Sequence, residues 1–79
     1  MKKDFGDSIV NNVYEYRVLA KMSQSELAKK VGVSKQTILV MEKGDYLPTL
    51  RLAFRIAYFF NVDINDIFTY VKGNEPNDL

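Results

Sequence analysis

The chain contains no cysteine and no histidine among its 79 residues. The first absence excludes a disulfide scaffold and thiolate-ligated metals. The second removes imidazole acid–base chemistry and the usual zinc ligand sets. No apolar run approaches the ~20 residues that span a bilayer. The start, Met1-Lys2-Lys3-Asp4-Phe5-Gly6, lacks the apolar stretch of a secretory signal. There is no Gly-rich phosphate loop, no nucleophile–base pair, and no second domain to hold a small-molecule ligand. The reading is therefore a cytoplasmic protein that is not an enzyme, with no cofactor, metal, membrane or small-molecule partner.

Apolar residues make up 47% of the chain, enough for one small globular domain with a modest core. The net charge of +1 is unevenly spread. Between Asn12 and Phe60, eight cations face four acids, a net of +4; the remainder carries −3. A basic centre suits a polyanion, although mixed charge alone is also what a solvated surface carries.

Within that centre, Ser23 to Gly44 reads as two short helices joined by a tight corner. Ser23 and Glu26 have capping-box spacing. Leu27, Ala28 and Val31 recur at helical spacing. Gly32 can take the left-handed conformation that ends a helix. Ser34 can cap the next helix, in which Ile38 and Met41 face inward and which Gly44 closes. On a helical wheel Gln36, Val40 and Lys43 then point outward, with Thr37 and Leu39 on the flanks. Glu42 falls near the buried side, where an unpaired carboxylate is costly.

This is the layout of a helix-turn-helix, whose second helix enters the DNA major groove. Ser-Gln-x-Glu-Leu-Ala, then Gly-Val-Ser-x-Gln-Thr-Ile, then Glu-Lys-Gly resembles the Cro/repressor-type, or XRE-like, regulators from about Asn12 to Phe68. The Tyr-x-Pro-Thr-Leu link and Asp-Ile-Phe ending are most similar to the small cytolysin-repressor-like group. The resemblance implies an all-α, five-helix, lambda-repressor-like domain with a two-stranded β-ribbon. It also implies that Arg17, an inward cation on the first helix, pairs with Glu42. Such a buried pair specifies geometry more than it adds net stability.

Around the motif, residues 1–7 and 73–79 read as flexible tails flanking a domain over 8–72. Asn11 or Asn12 can cap a helix running to about Lys21, with Val13, Tyr16, Arg17 and Ala20 on one side. Pro48 blocks helix propagation, and Thr49 can cap a helix running to about Phe60. Leu52, Ala53, Ile56, Ala57 and Phe60 form its core stripe, with Phe54 and Tyr58 as a second apolar stripe. Asp63 can cap a short helix from Ile64 to Phe68. Ser8–Val10 and Phe68–Val71 are β-prone, but a lone two-stranded ribbon is marginal. The residues themselves leave that pairing open.

Phosphate contacts set register on DNA, and base-edge contacts carry sequence information. Gln24 matches the resembled family's phosphate-clamping position. Ser34, Lys35, Gln36 and Thr37 lie at the end of the second helix that reaches base edges. Gln36 suits adenine and Lys35 suits guanine. Val40 can pack on a thymine methyl, but Val40 and Leu39 stand where the resembled family has polar or small residues, and packing against a neighbouring helix or subunit is the stronger alternative for both. Lys43 and Tyr46 can hold the backbone, with Arg51 a weaker candidate. Phe54, Tyr58, Ile64 and Phe68 suit a two-fold interface or, alternatively, the chain's own core. The expected function is a sequence-specific, double-stranded-DNA-binding regulator, a homodimeric repressor of a palindromic operator in a bacterium or phage. The alternative is the DNA-binding antitoxin of a toxin–antitoxin pair.

Overall fold

The computed structural model describes residues 5–74. The outer parts of both expected tails, residues 1–4 and 75–79, lie outside the described residues. Five helices follow a short strand, and a second strand closes the order: β1 Ser8–Asn11, α1 Val13–Leu19, α2 Gln24–Val31, α3 Lys35–Glu42, α4 Leu50–Phe60, α5 Ile64–Ile67 and β2 Phe68–Val71. The expected five-helix architecture with a small ribbon is borne out.

Local chemistry accounts for most boundaries. At α2 the Ser23 hydroxyl accepts from the Glu26 N–H at 3.0 Å, and the Glu26 carboxylate accepts from the Ser23 N–H at 2.7 Å. That reciprocal pair satisfies two donors the helix start would otherwise leave open. Gly32 ends the helix at φ 77°, a conformation that penalises a Cβ. Ser34 caps α3 and Thr49 caps α4, each accepting a backbone N–H three residues on. Asn61 ends α4 in the left-handed region that asparagine tolerates.

Two helix boundaries differ from the expectation, and β1 runs one residue further, to Asn11. α1 stops at Leu19, two residues short of Lys21, which adopts φ 57° in the corner before Ser23. Its start is held by Asn11, whose Oδ1 accepts from the Val13 N–H at 3.0 Å, while the Asn12 side chain turns away to the Asp66 carbonyl. α5 ends at Ile67, because Phe68 already has extended backbone and pairs with Asn11 in the ribbon.

The ribbon is antiparallel, with Ser8 opposite Val71, Ile9 opposite Tyr70, Val10 opposite Thr69 and Asn11 opposite Phe68. It is not isolated. Phe68 inserts into the helical core, and the Asn11 Nδ2 donates to the Met41 carbonyl at the end of α3. The Tyr70 hydroxyl also donates to the Asp7 carboxylate at 2.8 Å. This anchoring supplies the packing that two strands need.

The core joins every helix. Val13 of α1, Leu27 and Val31 of α2, Ile38 and Met41 of α3, Ile56 of α4 and Ile67 of α5 are all completely buried. Burying one such aliphatic side chain stabilises by about 1.5–3 kcal/mol. Ile38 and Met41 therefore lock the rotation of α3 and decide which residues it turns outward.

Candidate nucleic-acid interface

α3 is short and amphipathic, and its outward side carries the candidate contacts. Lys35 and Gln36 occupy its first turn and are exposed. Ser34 precedes them as the cap; its hydroxyl lies 2.9 Å from the Thr37 hydroxyl and accepts the Thr37 N–H at 3.1 Å. Ser34 and Thr37 are thus already engaged with each other, and Thr37 is half-buried. Val40 and Leu39 are half-buried too, one turn further on. Lys43 is exposed at the other end of the helix, and Tyr46 is exposed in the loop beyond it. The helix dipole is positive at the Lys35–Gln36 end, which adds to the attraction for phosphates nearby.

The second element is the start of α2. Its capping box uses the Ser23 and Glu26 N–H groups. The N–H groups of Gln24 and Ser25 donate to no acceptor among the described residues, as is usual in the first turn of a helix. Hydrogen bonding to the Ser23 backbone, and then to its hydroxyl, holds the Glu26 carboxyl below the usual glutamate range.

Between the two elements lies a cluster around Glu42, the last residue of α3. Arg17 Nε donates to Glu42 Oε2 at 2.7 Å and Nη2 donates to Oε1 at 3.1 Å. The side chains are only 11% and 6% exposed. Arg17 Nη1 also donates to the Met22 carbonyl at 2.8 Å, and the guanidinium carbon sits 5.3 Å from the centre of the Tyr14 ring. The hydrogen bond to Glu42 raises the Arg17 pKa above its ordinary value, against the opposing cost of burial. Bidentate pairing of this kind joins charge to a fixed orientation. It ties α1, the α1–α2 corner and the end of α3 into one unit.

Gln24 is drawn into the same cluster. Its Nε2 donates to Glu42 Oε1 at 3.1 Å. Sequence reasoning missed this contact. The wheel places Glu42 near the buried side, yet nothing in the spacing reveals that a residue eighteen positions earlier reaches it. Arg55 was missed likewise: its Nη1 donates to the Val31 carbonyl at 2.8 Å, across the α2–α4 packing. Arg51 is exposed on the same helix.

The residues expected to meet a partner chain divide into two sets. Phe68 is 9% exposed within the chain's own core, and Ile64 packs against that core partly buried. Phe54 and Tyr58 are 54% and 87% exposed and, with Leu50, form a ridge along α4. Beside the ridge, Ile9, Leu47, Pro48, Ala53, Ile64 and Tyr70 line a mainly apolar groove of about 330 Å³.

A helix-turn-helix family model matches residues 13–67, most of the described chain. The chain belongs to the helix-turn-helix family. An HTH-type transcriptional regulator of Methanocaldococcus jannaschii is 57% identical over 60 residues, covering 76% of this chain and 91% of its own. The transcriptional repressor RstR of the cryptic phage CTXphi, from Vibrio cholerae, is 33% identical over 67 residues, 85% of this chain and 58% of RstR. Among solved structures, the transcriptional regulator VanUg superposes with a TM-score of 0.70 at 25% identity, covering 91% of this chain and 96% of VanUg. The chain is therefore a DNA-binding helix-turn-helix regulator of the XRE type and not an enzyme. Among the described residues, no helix is long and apolar enough to cross a membrane.

Proposed function

We propose that the protein is a cytoplasmic repressor that blocks a promoter by binding, as a homodimer, an operator of two inverted half-sites. The observation that carries this reading is the orientation of α3. Ile38 and Met41 are buried without residue, which leaves Lys35 and Gln36 exposed at the helix start and Lys43 at its end. Gln36 pairs with adenine N6 and N7 and Lys35 with guanine O6 and N7. Val40 rests against a thymine methyl. Gln24, with the open N–H groups at the start of α2, clamps one phosphate, while Lys43 and Tyr46 hold the opposite backbone. Repression follows the assignment of the related RstR.

The dimer reading rests on the α4 ridge. Leu50, Phe54 and Tyr58 expose more apolar surface than a monomeric DNA-binding domain needs. A two-fold contact there would present two α3 helices to half-sites about one DNA turn, ~34–36 Å, apart. Selection of bound duplexes from a random pool tests the whole proposal. Two inverted copies of one short motif at fixed spacing are expected. A single unrepeated motif, with only monomer in sedimentation with and without that duplex, would remove the dimer.

A further inference from the structure

The carboxylate of Glu42 has two customers on different helices. Oε2 is taken by Arg17 Nε, whereas Oε1 is shared between Arg17 Nη2 and Gln24 Nε2. A carboxylate only accepts hydrogen bonds. The Gln24 carboxamide must therefore turn its NH₂ group, and not its carbonyl oxygen, toward Glu42. The second hydrogen of that planar NH₂ then points about 120° away from the first. Gln24 is half-buried, at the first position of α2, beside the open N–H groups of its own backbone and of Ser25.

We propose that Glu42 is a positioning residue for DNA binding: it orients the Gln24 amide as a phosphate donor, while Arg17 cancels the Glu42 charge that would otherwise repel that phosphate. This rests on the reading of Gln24 as a phosphate clamp. The end of α3 and the start of α2 are thereby coupled through one oxygen atom. A side chain held before DNA arrives loses less rotamer freedom on binding, so the same contact yields more affinity. The arrangement also separates two kinds of DNA contact. Lys43 acts as a cation, whose removal lowers the salt dependence of binding; Gln24 is neutral, so its loss weakens binding without changing the salt slope.

The test is a double-mutant cycle on DNA affinity. The probe is a fluorescent duplex recovered from a random pool by the wild-type protein, titrated against wild type, Gln24→Ala, Glu42→Met, which has a similar length but no oxygen to accept from Gln24, and the double variant. In the Glu42 background Gln24→Ala is expected to weaken binding on the order of tenfold, as loss of one hydrogen bond to a charged group does. In the Glu42→Met background the same change is expected to cost about threefold or less. Equal losses in both backgrounds overturn the positioning role while leaving DNA binding intact. Failure to recover any duplex overturns the DNA reading itself, and this proposal with it.

A spectroscopic measurement on the wild type covers the case in which Glu42→Met does not fold. The chain has two glutamines, Gln24 and Gln36. Without DNA, relaxation of their side-chain amide resonances should show Gln24 rigid and Gln36 mobile. Equal mobility of the two amides overturns the proposal.

Discussion

Arg55 of α4 donates from Nη1 to the carbonyl oxygen of Val31, the last residue of α2, at 2.8 Å. That carbonyl is one of the last four of its helix, which have no intrahelical donor. A guanidinium placed there also meets the negative end of the α2 dipole. Arg55→Ala should therefore destabilise the domain by about 1 kcal/mol, a partly screened value because the side chain is exposed. Urea titration checks this: the midpoint should fall with no change in the slope. An unchanged midpoint would mean that water serves the Val31 carbonyl equally well.

The capping box at α2 makes stability depend on acid. Its hydrogen bonds to Ser23 hold the folded-state pKa of Glu26 below the ordinary 4.5. A depressed carboxyl pKa contributes stability above the unfolded value, and the contribution disappears as pH falls through the folded value. Glu26→Gln can keep the capping geometry but cannot titrate. Melting temperatures of wild type and Glu26→Gln should thus diverge near neutrality and converge as pH drops below the carboxylate range. Parallel curves across that range would contradict the assignment.

Readout and anchoring on DNA should separate by substitution. Gln36→Ala is expected to cost about 1–3 kcal/mol on the selected duplex and little on random DNA. Lys43→Ala should weaken both alike and reduce the salt slope by about 0.9. Anisotropy titrations at several salt concentrations measure both effects. Matching losses from the two changes on both duplexes would remove Gln36 from base recognition.

Phe68 and Tyr58 should respond in opposite ways. Phe68 fills the core beneath the ribbon, so Phe68→Ala should cost about 3–5 kcal/mol. Tyr58 is 87% exposed, and Tyr58→Lys should change monomer stability by no more than about 0.5 kcal/mol. The same Tyr58→Lys change should shift sedimentation toward monomer and weaken binding to an inverted-repeat duplex. If Tyr58→Lys leaves both unchanged, the α4 ridge is not the dimer contact.

The helix boundaries around the motif were legible because their causes lie within four residues. Ser23 with Glu26, Gly32, Ser34 and Thr49 each act on backbone groups nearby, so spacing alone reveals them. Apolar periodicity also identified the buried sides of α2, α3 and α4, and hence the outward placement of Gln36 and Lys43, whereas Val40, placed outward with them, is half-buried. The strands were less legible. Ser8–Asn11 and Phe68–Val71 are β-prone, but their pairing joins opposite ends of the chain and depends on Phe68 finding space among the helices. Composition could not assign Phe68 to the core and Tyr58 to the surface, since both are aromatic and either could fill a small core or meet a partner chain.

By itself, then, the sequence determined the helices of the motif and α4, the sides of α2, α3 and α4 that turn inward, and the family, because those depend on short-range hydrogen bonding and on the helical period. Only the tertiary structure decided which distant groups meet. It placed the Gln24 amide against the Glu42 carboxylate, Arg55 on the Val31 carbonyl, and Asn11 on the Met41 carbonyl. Each contact depends on how two elements pack at a distance of a few ångströms, and side-chain period carries no information about that distance.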